Sequence, residues 1–147
     1  MLSQTFRRRT VVAPMRAFAA LRRRNPYPAM FFCNLGGGEI LFGASPDLQL
    51  RAGADWVEAA PVCGTLRRGA DPMEDAAQAF ALLASDKEGA AIALCADSAA
   101  SEHASVCVPG SVEVLSHRRP YFFSTLIHSI DHLRGRRRAG LDGFDLL

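Results

Sequence analysis

The residues in this chain with chemical potential are four cysteines, a triple glycine, three arginine triplets and a histidine in an alternating apolar stretch. Cys33, Cys63, Cys95 and Cys107 lie 30, 32 and 12 positions apart. Zinc sites and thioredoxin-type redox centres draw on closely spaced cysteine pairs, so neither is indicated. Without a recognisable secretory signal, the thiols are expected to be reduced and the protein cytoplasmic. Gly36-Gly37-Gly38 would cradle a phosphate only if a helix followed directly, whereas Glu39-Ile40-Leu41-Phe42 reads as strand and makes the glycines a hairpin turn. The arginine triplets at 7–9, 22–24 and 136–138 are far apart and lack an aromatic platform. They read as solvated faces rather than a nucleic-acid surface. His128 carries an imidazole that can move a proton near neutral pH, although a lone strand histidine is more commonly structural.

The remaining composition bounds the class. The chain has 147 residues, 49% apolar and 22% charged, with a net charge of +2. A domain of this size buries about 70% of its unfolded surface. No apolar run approaches the roughly 20 residues of a membrane span, and the charge is too small to argue for nucleic acid. Lys87 is the single lysine among 17 basic residues, which together with the alanine excess reflects biased coding composition. Residues 1–38 hold seven arginines and no acid, as a transit peptide would.

Local signals define the elements that must position any site. Residues 13–24 have helical spacing (Met15, Phe18, Leu21) and stop at Asn25-Pro26, because a proline ring disfavours helix at the residue before it. Short apolar runs at 29–33, 39–44, 47–52 and 56–61, separated by turn signals, read as an antiparallel meander. Asp71-Pro72-Met73-Glu74 starts a helix with a cap, a first-turn proline and a glutamate three residues on. Met73, Ala77, Phe80 and Leu83-Ala84 form its expected apolar face. Ser85-Asp86-Lys87-Glu88 starts a second helix, reaching about Ala100, with Ala90, Ala91, Leu94 and Cys95 inward. Residues 112–114 alternate as a short strand. Residues 121–133 fit a helix and a strand alike.

These elements carry short words in a fixed order: Leu2-Ser3-Gln4, Arg24-Asn25-Pro26, Gly43-Ala44-Ser45-Pro46, Gly64-Thr65, Arg68-Gly69, Glu74-Asp75, Asp86-Lys87-Glu88, Pro109-Gly110-Ser111-Val112 and His128. The set resembles the chorismate-binding domain of anthranilate synthase component I, aminodeoxychorismate synthase and isochorismate synthase. Gln4-Thr5-Phe6, Cys95-Ala96-Asp97, Val106-Cys107-Val108 and the run from Leu126 to His132 resemble most the anthranilate synthases fused to their glutaminase. The resemblance implies an α+β fold, an α/β sandwich of two packed, mostly antiparallel sheets flanked by helices. Residues 1–147 would form a partial chorismate-binding domain, roughly its middle half. It also implies that Leu2-Ser3-Gln4 is a strand inside the domain, which makes a transit peptide unnecessary, and that 126–133 is a strand.

Enzymes of that type bind chorismate with Mg²⁺, add ammonia at C2, expel the C4 hydroxyl and eliminate pyruvate; a glutamine amidotransferase domain or subunit is the implied partner. By the resemblance, Gly64 and Thr65 approach the substrate and His128 serves acid/base catalysis. Asp47 stands where the family has a glutamate, keeping the charge with one methylene less reach. Ala91 falls where a helix glutamate helps hold Mg²⁺, so metal binding is expected to fail and no residue is assigned as a metal ligand. The family's Asp-x-Asp-Arg-Asn-Asp run has become Asp97-Ser98-Ala99-Ala100-Ser101-Glu102, with Glu102 a weak substitute ligand. Cys63 occupies the lysine position of aminodeoxychorismate synthases, which argues against a covalent lysine mechanism. The glycine-rich segment and second metal glutamate have no counterpart in these residues. The expected function is chorismate binding with impaired catalysis. The rivals are one half of a split enzyme and a non-catalytic interaction module.

Overall fold

The computed structural model describes residues 4–27 and 29–146. Of the strand expected at Leu2-Ser3-Gln4, Leu2 and Ser3 lie outside the described residues, and Gln4 has no regular structure. The elements run α1 (Pro14–Arg24), β1 (Ala29–Gly36), β2 (Glu39–Ser45), β3 (Leu48–Ala52), β4 (Trp56–Ala60), β5 (Val62–Arg67), α2 (Pro72–Ala84), α3 (Asp86–Val106), β6 (Glu113–Phe122) and β7 (Leu126–Arg136). The expected α+β class is observed, with every strand pairing antiparallel.

β1 and β2 form a hairpin of their own. Gly37 and Gly38 close it with φ of 58° and 84°, the left-handed pair that a two-residue hairpin loop requires and glycine supplies without steric cost. Phe18 of α1 covers this hairpin, with ring centroids 5.4 Å from Phe32 and 5.9 Å from Phe42.

The expected continuous meander is not observed. β2 and β3 belong to different sheets, because the chain turns at Pro46-Asp47 and the second sheet runs β3-β4-β7-β5 with β6 on the other edge of β7. β4 and β5 share one edge of β7 in tandem: Trp56 to Ala59 pair with Arg136 to Leu133, and Val62 to Arg67 with Ile130 to Leu126. Pro61, between them, has no N–H to give, but its carbonyl accepts from the Asp131 N–H at 3.2 Å. The ambiguous 121–133 stretch divides into the end of β6, a turn and β7. β6 extends well beyond 112–114, with bulges between Val114 and Ser116 and between Ser116 and Arg119 that break its alternation.

Val57, Ala59, Ile127 and Leu133 share one face of this sheet, and with the buried Leu82 of α2 and Ile92 of α3 they form the core between sheet and helices. Gly135 lies on the same face, where an added Cβ would come within 2.4 Å of Cys107 Sγ. Both helices start where expected. Asp71 accepts from the N–H groups of Met73 and Glu74, and Ser85 from that of Glu88. The inward face of α2 differs from expectation, and that of α3 agrees at Ala91 and Cys95 but not at Ala90 and Leu94. Met73, Phe80 and Leu94 are 79%, 75% and 73% exposed, while Asp75, Ala79 and Leu82 of α2 and Ile92, Ala99 and His103 of α3 turn inward. α3 also continues to Val106, with no breaker before Pro109.

Truncating Leu82 to alanine should therefore cost about 2–5 kcal/mol in urea unfolding. Phe80→Ala should stay within about 0.5 kcal/mol. The opposite ranking would show that α2 packs through its other face.

Candidate functional site

The site begins with one extra residue in β5. Val62 pairs with Ile130 and Cys63 with Ser129, Gly64 is skipped, and Thr65 pairs with His128. Side chains two apart on a regular strand share a face. Gly64, at φ 76°, absorbs the extra residue as a left-handed bulge. Cys63 consequently faces the helices, while Thr65 turns to the opposite face beside His128. An L side chain at 64 would be strained at that φ, and its Cβ would meet Leu82 Cδ1 at 2.7 Å.

His128 is buried in β7. Its Nδ1 lies 3.0 Å from Thr65 Oγ1 and 3.4 Å from the Gly64 carbonyl oxygen. That carbonyl can only accept, which assigns the proton to Nδ1. Nε2 then carries the lone pair, and the Tyr27 hydroxyl, 3.5 Å away, donates towards it. Burial lowers the His128 pKa, and the Gly64 carbonyl opposes this more weakly. Burial also raises the Tyr27 pKa, so its phenol stays protonated. At neutral pH the cluster presents an uncharged imidazole able to take a proton at Nε2. Phe123 completes the wall, its ring centroid 4.9 Å from Tyr27 and 5.4 Å from His128.

Arg68 positions Phe123. Its Nη1 donates to the Phe123 carbonyl at 2.6 Å, and its Nε donates to both carboxylate oxygens of Asp75 at 2.9 Å. Asp75 also accepts from the Gly69 N–H at 2.8 Å, and the Arg68 hydrogen bond holds its carboxyl below the usual range. No side chain fits at Gly69, where a Cβ would lie 2.4 Å from Glu74 Cβ. The Arg68-Gly69 and Glu74-Asp75 words are thus a clamp joining β5, the first turn of α2 and the β6–β7 turn. Tyr27 and Phe123 escaped the sequence reading. The available signals were the position of Tyr27 directly after Asn25-Pro26 and that of Phe123 in the ambiguous stretch.

His128, Thr65 and Gly64 come together; Asp47 does not join them. It sits in the β2–β3 turn, its N–H donating to Ser45 Oγ at 3.1 Å. It borders a cleft of about 410 Å³ lined also by Arg51, Tyr121, Phe123 and His132. Although its side chain reaches solvent, crowding by the cleft walls raises its carboxyl pKa against the opposing Leu48 N–H. Phe123 is the wall shared by this cleft and the His128 cluster.

A resident Mg²⁺ takes oxygen ligands through one or two carboxylates, water and substrate. Glu88 approaches Gly64 from the α3 side, its Oε2 3.2 Å from where a Gly64 Cβ would lie. Its other oxygen accepts from Lys87 Nζ at 3.1 Å. Ala91, one turn on, offers no ligand, and no metal-binding cluster of three His, Cys, Asp or Glu side chains exists among the described residues. Glu102 accepts from Ser98 Oγ at 3.2 Å and lies three turns beyond Ala91, about 16 Å along the helix.

Residues 1–147 match the family described as chorismate binding enzyme. The chain belongs to the chorismate-binding enzyme family. An anthranilate synthase from Azospirillum brasilense is 44% identical over 142 residues, covering 97% of this chain and 19% of that protein. Anthranilate synthase component 1 from Streptomyces coelicolor is 35% identical over 146 residues, covering 99% and 29%. The crystal structure of anthranilate synthase component I from Streptococcus pneumoniae TIGR4 shares the fold, with a TM-score of 0.80 at 24% identity over 94% of this chain and 29% of that one. The chain therefore spans less than a third of the length of these relatives. No helix among the described residues is long and apolar enough to cross a membrane.

The chain also carries a charged row on the His128 face. Glu58, fully buried, accepts from Arg51 on β3 at 3.1 Å and from Arg134 on β7 at 2.7 Å, one neighbour on each side. His132 Nε2 stands 3.5 Å from the same carboxylate. Both guanidiniums lie over Trp56, 5.6 and 5.2 Å from its ring centre. Burial pushes the Glu58 pKa up, but the hydrogen bonds and charges of the two arginines outweigh it and bring the carboxyl from 4.5 to about 2. A depressed carboxylate stabilises the fold above its unfolded pKa and loses that contribution as pH falls through its folded one. Stability should therefore decline between pH 4.5 and about 2. Glu58→Gln should flatten that decline and cost about 3 kcal/mol at neutral pH, read by urea unfolding. NMR titration of His128 should give a midpoint below 6.5 with the Nδ1–H form dominant; a midpoint above 6.5 would contradict the buried, neutral imidazole.

Proposed function

We propose that this chain binds chorismate as an anthranilate synthase component I-like module with impaired lyase activity. The observation that carries the reading is the Gly64 bulge, which brings Thr65 onto the His128 face in a chain that matches the family throughout. The Thr65 hydroxyl and the β5 backbone hold a substrate oxygen, Tyr27 and Phe123 stack against the ring and exclude water, and His128 takes or returns a proton at Nε2. Asp47 belongs to the rim of the neighbouring cleft. No step passes through Mg²⁺, because the donor set at Glu88 and Ala91 is incomplete. In a complete enzyme, ammonia would come from a glutamine amidotransferase domain or subunit; the "component 1" names of relatives support such a second component.

A second reading, one half of a split enzyme, is favoured by the exposed apolar side chains Met73, Phe80 and Leu94 on α2 and α3. A separate polypeptide covering that face would restore turnover on co-expression.

Calorimetry of the purified chain with chorismate should show binding that His128→Ala weakens at least tenfold, about 1.4 kcal/mol, while the far-UV spectrum is unchanged. Anthranilate fluorescence with ammonia and Mg²⁺ should stay at background. Ala91→Glu, placing a second carboxylate one turn from Glu88, should make chorismate binding Mg²⁺-dependent. A folded chain without chorismate affinity would end the binding reading, and clear wild-type turnover would end the impaired one.

A further inference from the structure

The Gly64 bulge has a second product. By pairing with Ser129, Cys63 faces α3, and its Sγ lies 3.8 Å from Cys95 Sγ. The four cysteines are free thiols, and these two, 32 positions apart in sequence, are the pair that the fold brings into contact. Cys33 is exposed on the hairpin and Cys107 is buried against Gly135. We propose that Cys63 and Cys95 form a dithiol site that exchanges with small-molecule disulfides and closes reversibly into a disulfide between β5 and α3.

The geometry sets the order of events. Cys95 lines an open cleft of about 250 Å³ with Ala59, Pro61, Ser98 and the carboxylates Asp47 and Glu102, and a small disulfide reaches it there. Both thiols are half-buried, but of the two it is Cys95 that lines this cleft. Cys95 therefore attacks first. Its thiolate bonds to one sulfur of the small disulfide and expels the other half as a thiolate, which takes up a proton. Cys63, deprotonated in turn, attacks Cys95 Sγ and expels the second half. Two protein thiols are oxidised to one disulfide, and one small disulfide is reduced to two thiols. Closure brings the two sulfurs from 3.8 Å to the roughly 2.05 Å of an S–S bond. In a reducing compartment the resting form is the dithiol, and the bond reports oxidation transiently. It would tie the strand segment ending at Gly64-Thr65 to the helix carrying Glu88 and Ala91.

The test uses the whole chain and oxidised glutathione at mildly alkaline pH. In the Cys33→Ser chain, which lacks the exposed thiol that glutathione would cap, thiol titration should fall from three groups to one, and the mass should drop by two hydrogens. Peptide mapping should join the Cys63 and Cys95 fragments, and dithiothreitol should restore all three thiols. The oxidised chain should unfold about 5 °C higher, because the cross-link restricts the unfolded state. Adding Cys95→Ser should abolish the internal cross-link, and the wild type should form the same Cys63–Cys95 bond with Cys33 capped by glutathione. Three thiols persisting in the Cys33→Ser chain after treatment, or a mapped bond involving Cys107, would overturn the proposal.

Discussion

The pairing of β7 on both edges is the constraint on which the rest of this molecule depends. A strand buried on both faces must satisfy its backbone polar groups within the protein. β7 does so with β4 and β5 along one edge and β6 along the other. Its alternation then sorts the molecule into two environments. Ile127 and Leu133 lie on the core face, and His128, His132 and Arg134 on the other. Site and core are opposite faces of one strand, so a change of register would exchange them.

Departures from that alternation do as much as the alternation itself. The Gly64 bulge separates Cys63 from Thr65 and gives His128 its hydroxyl partner. The bulge around Arg118, whose φ is 48°, satisfies the buried Asp131: His117 Nδ1 lies 3.1 Å from one carboxylate oxygen, and the Arg118 N–H donates to the other at 2.5 Å. The Arg118 guanidinium then reaches the Leu83 carbonyl at 2.6 Å, closing the end of α2 where α3 begins. Two local irregularities thus place the groups that link sheet, helices and site.

Polar groups on the site face are held by charge as well as by strand geometry. Glu58 fixes Arg51 and Arg134 across three strands, and the Arg68–Asp75 pair secures the turn that carries Phe123. These interactions hold the aromatic wall of Tyr27 and Phe123 beside an uncharged imidazole. On the helix side Glu88 faces Gly64, and its neighbour one turn on is Ala91.

The sequence by itself determined the features that depend on near neighbours along the chain. These are the capping residues at Asp71 and Ser85, the stop at Asn25-Pro26, the glycine hairpin and the ordered words that mark the family. It also pointed to His128, Gly64 and Thr65. Tertiary structure decided which faces of α2 and α3 turn inward, because both sides of these alanine-rich helices are apolar enough and only the neighbouring sheet selects between them. It likewise decided that the meander splits at Pro46-Asp47, that Asp47 stands apart from His128, and that Tyr27 and Phe123 enclose the imidazole. The physical reason is the range of the interactions. Caps and turns act within about four residues, whereas a side chain's face and partners are set by strands and helices many tens of residues away.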